Sequence, residues 1–130
     1  MIKVSVITVC YNAEKTIERT VESVISQSYP NFEYVIVDGG SRDSTLDIIE
    51  KYSLNISSLI SEPDNGIYDA MNKGVQISTG MYVIFMNSGD IFVDNNVLLN
   101  LFSNIHDFPD VIYGCLLYTS PSPRDISGYR

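Results

Sequence analysis

The stretch GMYVIFMNSGD (80–90) joins the most apolar run of the chain, residues 80–86, to four polar residues, Asn87, Ser88, Gly89 and Asp90. A short apolar run opened by a glycine and closed by turn residues reads as a buried strand. Asp90 then stands where that strand stops and a sheet opens to solvent. Two earlier runs end in the same way: VSVITV (4–9) leads into CYN (10–12), and FEYVIV (32–37) leads into DGGSRD (38–43). Open α/β sheets bind ligands in the crevice beyond the carboxyl ends of their strands. The three polar strand ends are therefore expected to form one site.

Between these runs the period changes. Over 13–28, Ile17, Val21, Val24, Ile25 and Ser28 fall at i, i+4, i+7, i+8 and i+11, which predicts a helix with one buried stripe. Asn12 is placed to cap it, with Glu14 in its first turn, and Tyr29-Pro30 stops it. A second helix is predicted over 43–52, capped by Ser41 or Asp43, with Leu46, Ile49 and Tyr52 inward. Residues 56–60 predict a short third strand. Pro63-Asp64-Asn65-Gly66 is turn chemistry, and a helix follows over 67–76. Asp94 is placed to cap a helix carrying Val97, Leu98, Leu101 and Phe102, and 110–113 predict a brief fifth strand. Strand and helix alternate, so the expected fold is α/β: three layers, α/β/α, around a mainly parallel sheet. Right-handed crossovers would put every strand's carboxyl end on one edge.

Composition narrows the function. A net charge of −8 and a pI of about 4.3 argue against nucleic acid as a partner. No run approaches the roughly 20 apolar residues of a membrane span, and the first strand lacks the features of a signal peptide. A cytoplasmic location is expected, with at most a peripheral seat on the inner membrane face in the full-length protein. Cys10, Cys115 and His106 follow no metal or redox spacing. The loop after strand one, TVCYN, holds neither GxGxxG nor GxxxxGK[ST], so no glycine-rich phosphate loop is present there. Residues 1–114 read as one domain. The tail 115–130, with its Ser-Pro-Ser-Pro, has no periodicity and resembles a translated sequencing adapter.

Some residue types at the strand ends suit a phosphorylated ligand. Asp38 precedes Gly39-Gly40, where a ligand can approach the backbone; a strand-end Asp also bonds its own loop. Tyr11 can stack on a nucleobase or lid the core. Asp90 suits a divalent cation carrying a phosphorylated ligand.

SVITVCYNAEKTIERTVESVISQSYPNFEYVIVDGGSRDST (5–45) and SEPDNGIYDAMNKGVQISTGMYVIFMNSGD (61–90) together resemble the inverting family 2 glycosyltransferases. The resemblance implies the GT-A fold and a nucleotide-sugar donor, with UDP first among candidates, and a glycan or lipid-linked acceptor. It implies Thr8 and Tyr11 in the base pocket and Asp38 accepting a hydrogen bond from the base. Asp64 would lie at the ribose or base, and Asp69 near the donor sugar; turn capping and a helix-dipole contact are the alternatives for these two. Lys73 would offset phosphate charge, or be a solvated helix lysine. Asn87 and Ser88 would contact the donor, and Asp90 would hold Mn²⁺ or Mg²⁺ on the diphosphate. The chain departs from the family where Asn87 and Gly89 replace acids and where Met71 replaces an arginine. The base that takes the acceptor's proton is expected downstream of the chain end, in an acceptor-binding half, which makes these residues an inactive donor-side fragment. Two other classes are weighed: a nucleotidyltransferase making sugar nucleotides, which would need a Gly-rich, Arg/Lys-containing loop after strand one, and a non-catalytic nucleotide-sugar-binding module.

Overall fold

A computed structural model describes residues 2–103. In chain order they form β1 (Val4–Cys10), α1 (Ile17–Ile25), β2 (Phe32–Asp38), α2 (Thr45–Glu50), a 3₁₀ turn (Ser53–Asn55), β3 (Ser58–Ser61), α3 (Ile67–Ile77), β4 (Tyr82–Phe85) and α4 (Val97–Ser103). The four strands pair in the order β3-β2-β1-β4, every pair parallel. The fifth strand expected at 110–113, Cys115 and the tail 115–130 lie outside the described residues.

Side-chain alternation along β1 and β2 splits the core into two layers. Val4, Val6, Cys10, Tyr34 and Ile36 face one side, where they pack with Ile17, Val21 and Val24 of α1, Ile49 of α2 and Leu98 and Phe102 of α4. Ile7, Val9, Val35 and Val37 face the other, under Ile67 and Ala70 of α3. Every residue of β1 is buried, as expected of a strand covered on both faces. Fully burying each Val or Ile contributes about 1.5–3 kcal/mol, so the β1–β2 pair anchors the domain. Gly74 lets α3 sit close to the sheet: a Cβ there would stand 2.7 Å from Ile7 Cγ2.

Several boundaries differ from expectation, and β3, expected at 56–60, spans Ser58–Ser61. Helix α1 starts at Ile17, not at 13, and its N-cap position is Thr16 without a side-chain cap bond. Asn12 does not cap it. Asn12 adopts φ 48° and turns its side chain to a neighbouring loop. Helix α2 is shorter than predicted, Thr45–Glu50, and its N-cap position is Ser44, without a side-chain cap bond, instead of Ser41 or Asp43; Asp43 Oδ1 accepts the Thr45 N–H at 2.9 Å from one residue further out. Strand β4 spans Tyr82–Phe85, but Met86 N still donates to Ile7 O at 2.8 Å, so the chain keeps its course to Asn87.

Candidate functional site

Parallel pairing fixes where the loops emerge. Cys10 pairs with Asp38, and Asp38 with Ser61, so β1, β2 and β3 end on one rung. Beyond β4, Ser88 N donates to Val9 O at 3.2 Å, bringing the NSGD turn to the same edge. The loops starting at Tyr11, Gly39, Glu62 and Asn87 thus share one rim, the convergence expected from the sequence.

Two of these loops are stitched together. Asn12 N donates to Ser41 Oγ at 2.7 Å, and Arg42 N returns a bond to Asn12 Oδ1 at 2.8 Å. Ala13 N donates to Thr45 Oγ1 at 2.8 Å, Glu14 N to Asp43 Oδ2 at 3.2 Å, and Ser44 N to Glu14 Oε1 at 3.0 Å. The Asn12, Ala13 and Glu14 amides, which precede α1, take their acceptors from the 41–45 loop, and the chain enters the helix only at Ile17. Burial pushes the Asp43 carboxyl up, but the Thr45 hydroxyl and the Thr45 and Glu14 amides outweigh it and hold it below its ordinary value.

Asp38 is fully buried. Its Oδ2 accepts Gly40 N at 3.1 Å, Ser41 N at 2.9 Å and Ser61 Oγ at 3.0 Å, while Oδ1 accepts the Ser41 hydroxyl at 2.5 Å. The carboxylate thus organises the Gly39–Ser41 turn and ties it to β3. Gly40 has φ 89° and its Cα faces Pro63, with room of only 3.3 Å for a Cβ, so the turn rests on the β3–α3 loop. Tyr11 is half-buried and packs against the layer under α3, as Met71 and Phe85 also do. Thr8 is buried on the opposite layer and shares a 2.7 Å hydrogen bond with Tyr34 OH; it lies in the floor beneath the rim.

At the start of α3, Asp64 Oδ1 accepts Gly66 N at 3.2 Å and Asp69 Oδ2 accepts Asn65 N at 2.9 Å. Both acids therefore do turn and helix-start work. Lys73 Nζ lies 2.9 Å from Glu62 Oε2 and 3.7 Å from Asp69 Oδ2, and donates to Pro63 O at 3.2 Å. The Glu62 carboxylate raises the Lys73 pKa, with Asp69 and Asp64 adding to it. This lysine braces its own loop.

The NSGD turn closes on itself: Asp90 N donates to Asn87 O at 2.9 Å and Asn87 N to Asp90 Oδ2 at 3.2 Å. Gly89 has φ 99°, a conformation that favours glycine. Ser88 is buried, and Asn87 Oδ1 is buried with no hydrogen-bond partner among the described residues. A buried amide oxygen in that state, on the turn that also carries the Asp90 carboxylate, supplies hard oxygens of the kind that suit Mg²⁺ or Mn²⁺ completed by water and phosphate oxygens. Among the described residues no group of three His, Cys, Asp or Glu could hold a metal alone. Any ion would arrive with its anionic ligand.

The polar side of α1 was not singled out from sequence. Thr20 Oγ1 accepts Gly89 N at 2.8 Å, Ser23 Oγ accepts Phe92 N at 2.7 Å, and Gln27 Oε1 accepts Leu98 N at 3.1 Å. Their i, i+3, i+7 spacing was the available signal, but it reads equally as a solvated face.

The sequence profile of Glycosyl transferase family 2 matches residues 5–129. A PGL/p-HBAD biosynthesis glycosyltransferase of Mycobacterium bovis is 32% identical over 125 residues, covering 92% of this chain and 49% of its own length. The chain thus spans about half the length of the curated relatives it matches first. Among solved structures, S. aureus TarS 1–349 in complex with UDP-GlcNAc is 32% identical with a TM-score of 0.68, over 78% of this chain and 30% of that one. The mannosyltransferase PcManGT from Pyrobaculum calidifontis, in complex with GDP-Man and Mn²⁺, is 26% identical with a TM-score of 0.69, over 75% of this chain and 30% of its own. The parallel sheet and its flanking helices are the GT-A arrangement of these neighbours.

Proposed function

From a chain that belongs to glycosyl transferase family 2, we infer the donor-side half of an enzyme that moves a sugar from a nucleoside diphosphate, UDP first, to an acceptor hydroxyl in glycan synthesis. The observation that carries this reading is the shared rim, where Tyr11, Asp38 and the Asn87–Asp90 turn leave three adjacent parallel strands. Complexes of similar proteins with UDP-GlcNAc and with GDP-Man support a nucleotide sugar as the ligand.

In this reading Tyr11 stacks on the base, and Asp38 accepts a hydrogen bond from a base N–H. To do so, Asp38 gives up one of its bonds to the Gly39–Ser41 turn, while Thr8 and Tyr34 hold the floor. Asp64 faces the ribose, Asp69 the donor sugar, and Lys73 offsets phosphate charge in exchange for its contact with Glu62. Ser88 and Asn87 line the diphosphate end. Asp90 and Asn87 Oδ1 would hold Mn²⁺ or Mg²⁺ with the diphosphate, and that cation neutralises the charge on the departing nucleoside diphosphate. Displacement is in line and inverting, and the acceptor's proton passes to a carboxylate. Residues 1–114 form this half, and the base and the glycan or lipid-linked acceptor site belong to a second one.

Thermal shift with UDP, GDP and ADP, each with MnCl₂, tests the reading. A ligand at 100 times its Kd stabilises by about 2.7 kcal/mol, a shift of several degrees for a domain of this size. UDP is expected to give the largest rise. A larger rise with GDP would reassign the base, and no rise with any of the three would overturn the reading.

A further inference from the structure

Helix α1 carries two stripes. Ile17, Val21 and Val24 enter the core, while Thr20 and Ser23 run alongside and, with Gln27 just beyond the helix end, meet the segment that follows β4. Each of the three accepts a backbone N–H from that segment: Gly89, Phe92 and Leu98 in turn. Gln27 Nε2 also donates to Asp94 O at 2.6 Å, and Ser28 Oγ to Asn96 Oδ1 at 2.7 Å. One face of α1 and the residues just after it therefore hold the chain from Gly89 to Leu98.

Thr20 is the member nearest Asp90. It is fully buried, and its hydroxyl fixes the amide of Gly89, the residue whose positive φ sets the direction of the turn. Asp90 follows directly, its own N–H and Oδ2 bonded back to Asn87. Gly89 is thus pinned from outside the turn and Asn87 from within it. We propose that Thr20 is a positioning residue for the cation-binding end of the site, holding in one form the turn that carries Asn87 and Asp90 toward a diphosphate-borne divalent cation. This rests on the donor-binding reading above. Outer contacts that orient a metal ligand typically change metal affinity by about 10–100-fold when removed.

The test compares the wild-type protein, Thr20→Val and Thr20→Ser by calorimetry with UDP, in MnCl₂ and in EDTA. Thr20→Val keeps the shape and removes the acceptor; Thr20→Ser restores it. The ratio of the two Kd values is the readout, because a merely structural loss lowers the binding-competent fraction in both buffers alike. A fall in that ratio of about 10-fold in Thr20→Val, restored in Thr20→Ser, is expected. An unchanged ratio in Thr20→Val overturns the positioning role and leaves the donor reading standing. UDP binding with no Mn²⁺ effect in the wild type overturns the positioning role, and no UDP binding in either buffer overturns the donor reading. Amide exchange of the wild-type protein gives a check that needs no variant: Gly89 is expected to be protected like the α1 amides, and exchange at an unprotected rate contradicts the clamp.

Discussion

Cys10 and Asp38 are the last paired residues of the β1–β2 ladder, and the Cys10 thiol lies 3.6 Å from Asp38 Oδ1. Burial pushes the thiol well above its ordinary value of 9.0, and the Asp38 carboxylate pushes it further in the same direction. Cys10 therefore stays a neutral S–H donor at the foot of the rim. In a Cys115→Ser background, iodoacetamide at about pH 8.5 is expected to leave Cys10 unmodified in the folded protein and to label it at once in denaturant. Fast labelling of the folded protein would contradict this environment.

Asp38 concentrates acceptors that an amide cannot replace. Asp38→Asn puts an NH₂ against Gly40 N, Ser41 N, Ser61 Oγ or the Ser41 hydroxyl, whichever oxygen it replaces. Hydrogen bonds to charged groups contribute about 1.5–3 kcal/mol each, and at least one is lost. A fall of about 3 kcal/mol in unfolding free energy is expected from urea titration, and a change within error would contradict the organising role.

Two glycines on opposite ends of the sheet should respond differently to alanine. At Gly80 a Cβ would lie 2.6 Å from Ser5 N and 2.8 Å from Val4 C, main-chain atoms of β1 that cannot yield without opening the β1–β4 pair. Gly80→Ala is expected to cost about 3 kcal/mol or more. Gly66 has φ 119° and nothing within 4 Å of where a Cβ would stand, so Gly66→Ala meets only backbone strain, about 1–3 kcal/mol. Melting temperatures of both variants check the order; Gly66→Ala as the more damaging change would contradict it.

Acid should weaken the domain partly through Glu33. Burial raises its pKa, but the Ser5 hydroxyl, the Thr79 amide and hydroxyl, and Lys3 outweigh that and leave it below the ordinary 4.5. A group depressed on folding stabilises above its unfolded pKa and loses that contribution as pH falls through the folded value. The gap between the urea midpoints of the wild type and Glu33→Gln at about pH 6 is expected to narrow as the pH falls below about 4.5. A constant gap across that range would contradict the assignment.

The architecture is legible in local pattern because burial on both faces makes VSVITV and FEYVIV continuously apolar, while Ile17, Val21 and Val24 recur at helical spacing. The convergence of the loops follows from parallel pairing and crossover handedness. What local pattern does not carry is who bonds to whom across the chain. Asn12 has the chemistry of a cap, yet its partner is Arg42 N, 30 positions away. Thr20, Ser23 and Gln27 look like a wet helix face until the segment after β4 is laid on them. Asp38 is marked as a strand-end acid by sequence, but its saturation by the Gly39–Ser41 turn and Ser61 depends on β3 ending on the same rung.

Calorimetric titration of UDP into the wild-type protein and Asp90→Ala, with MnCl₂ and then with EDTA, reaches the central claim most directly. The account predicts binding to the wild type that weakens by about 10-fold or more in EDTA, and the same weakening in Asp90→Ala with Mn²⁺ present. Equal UDP affinity in all four titrations would contradict it.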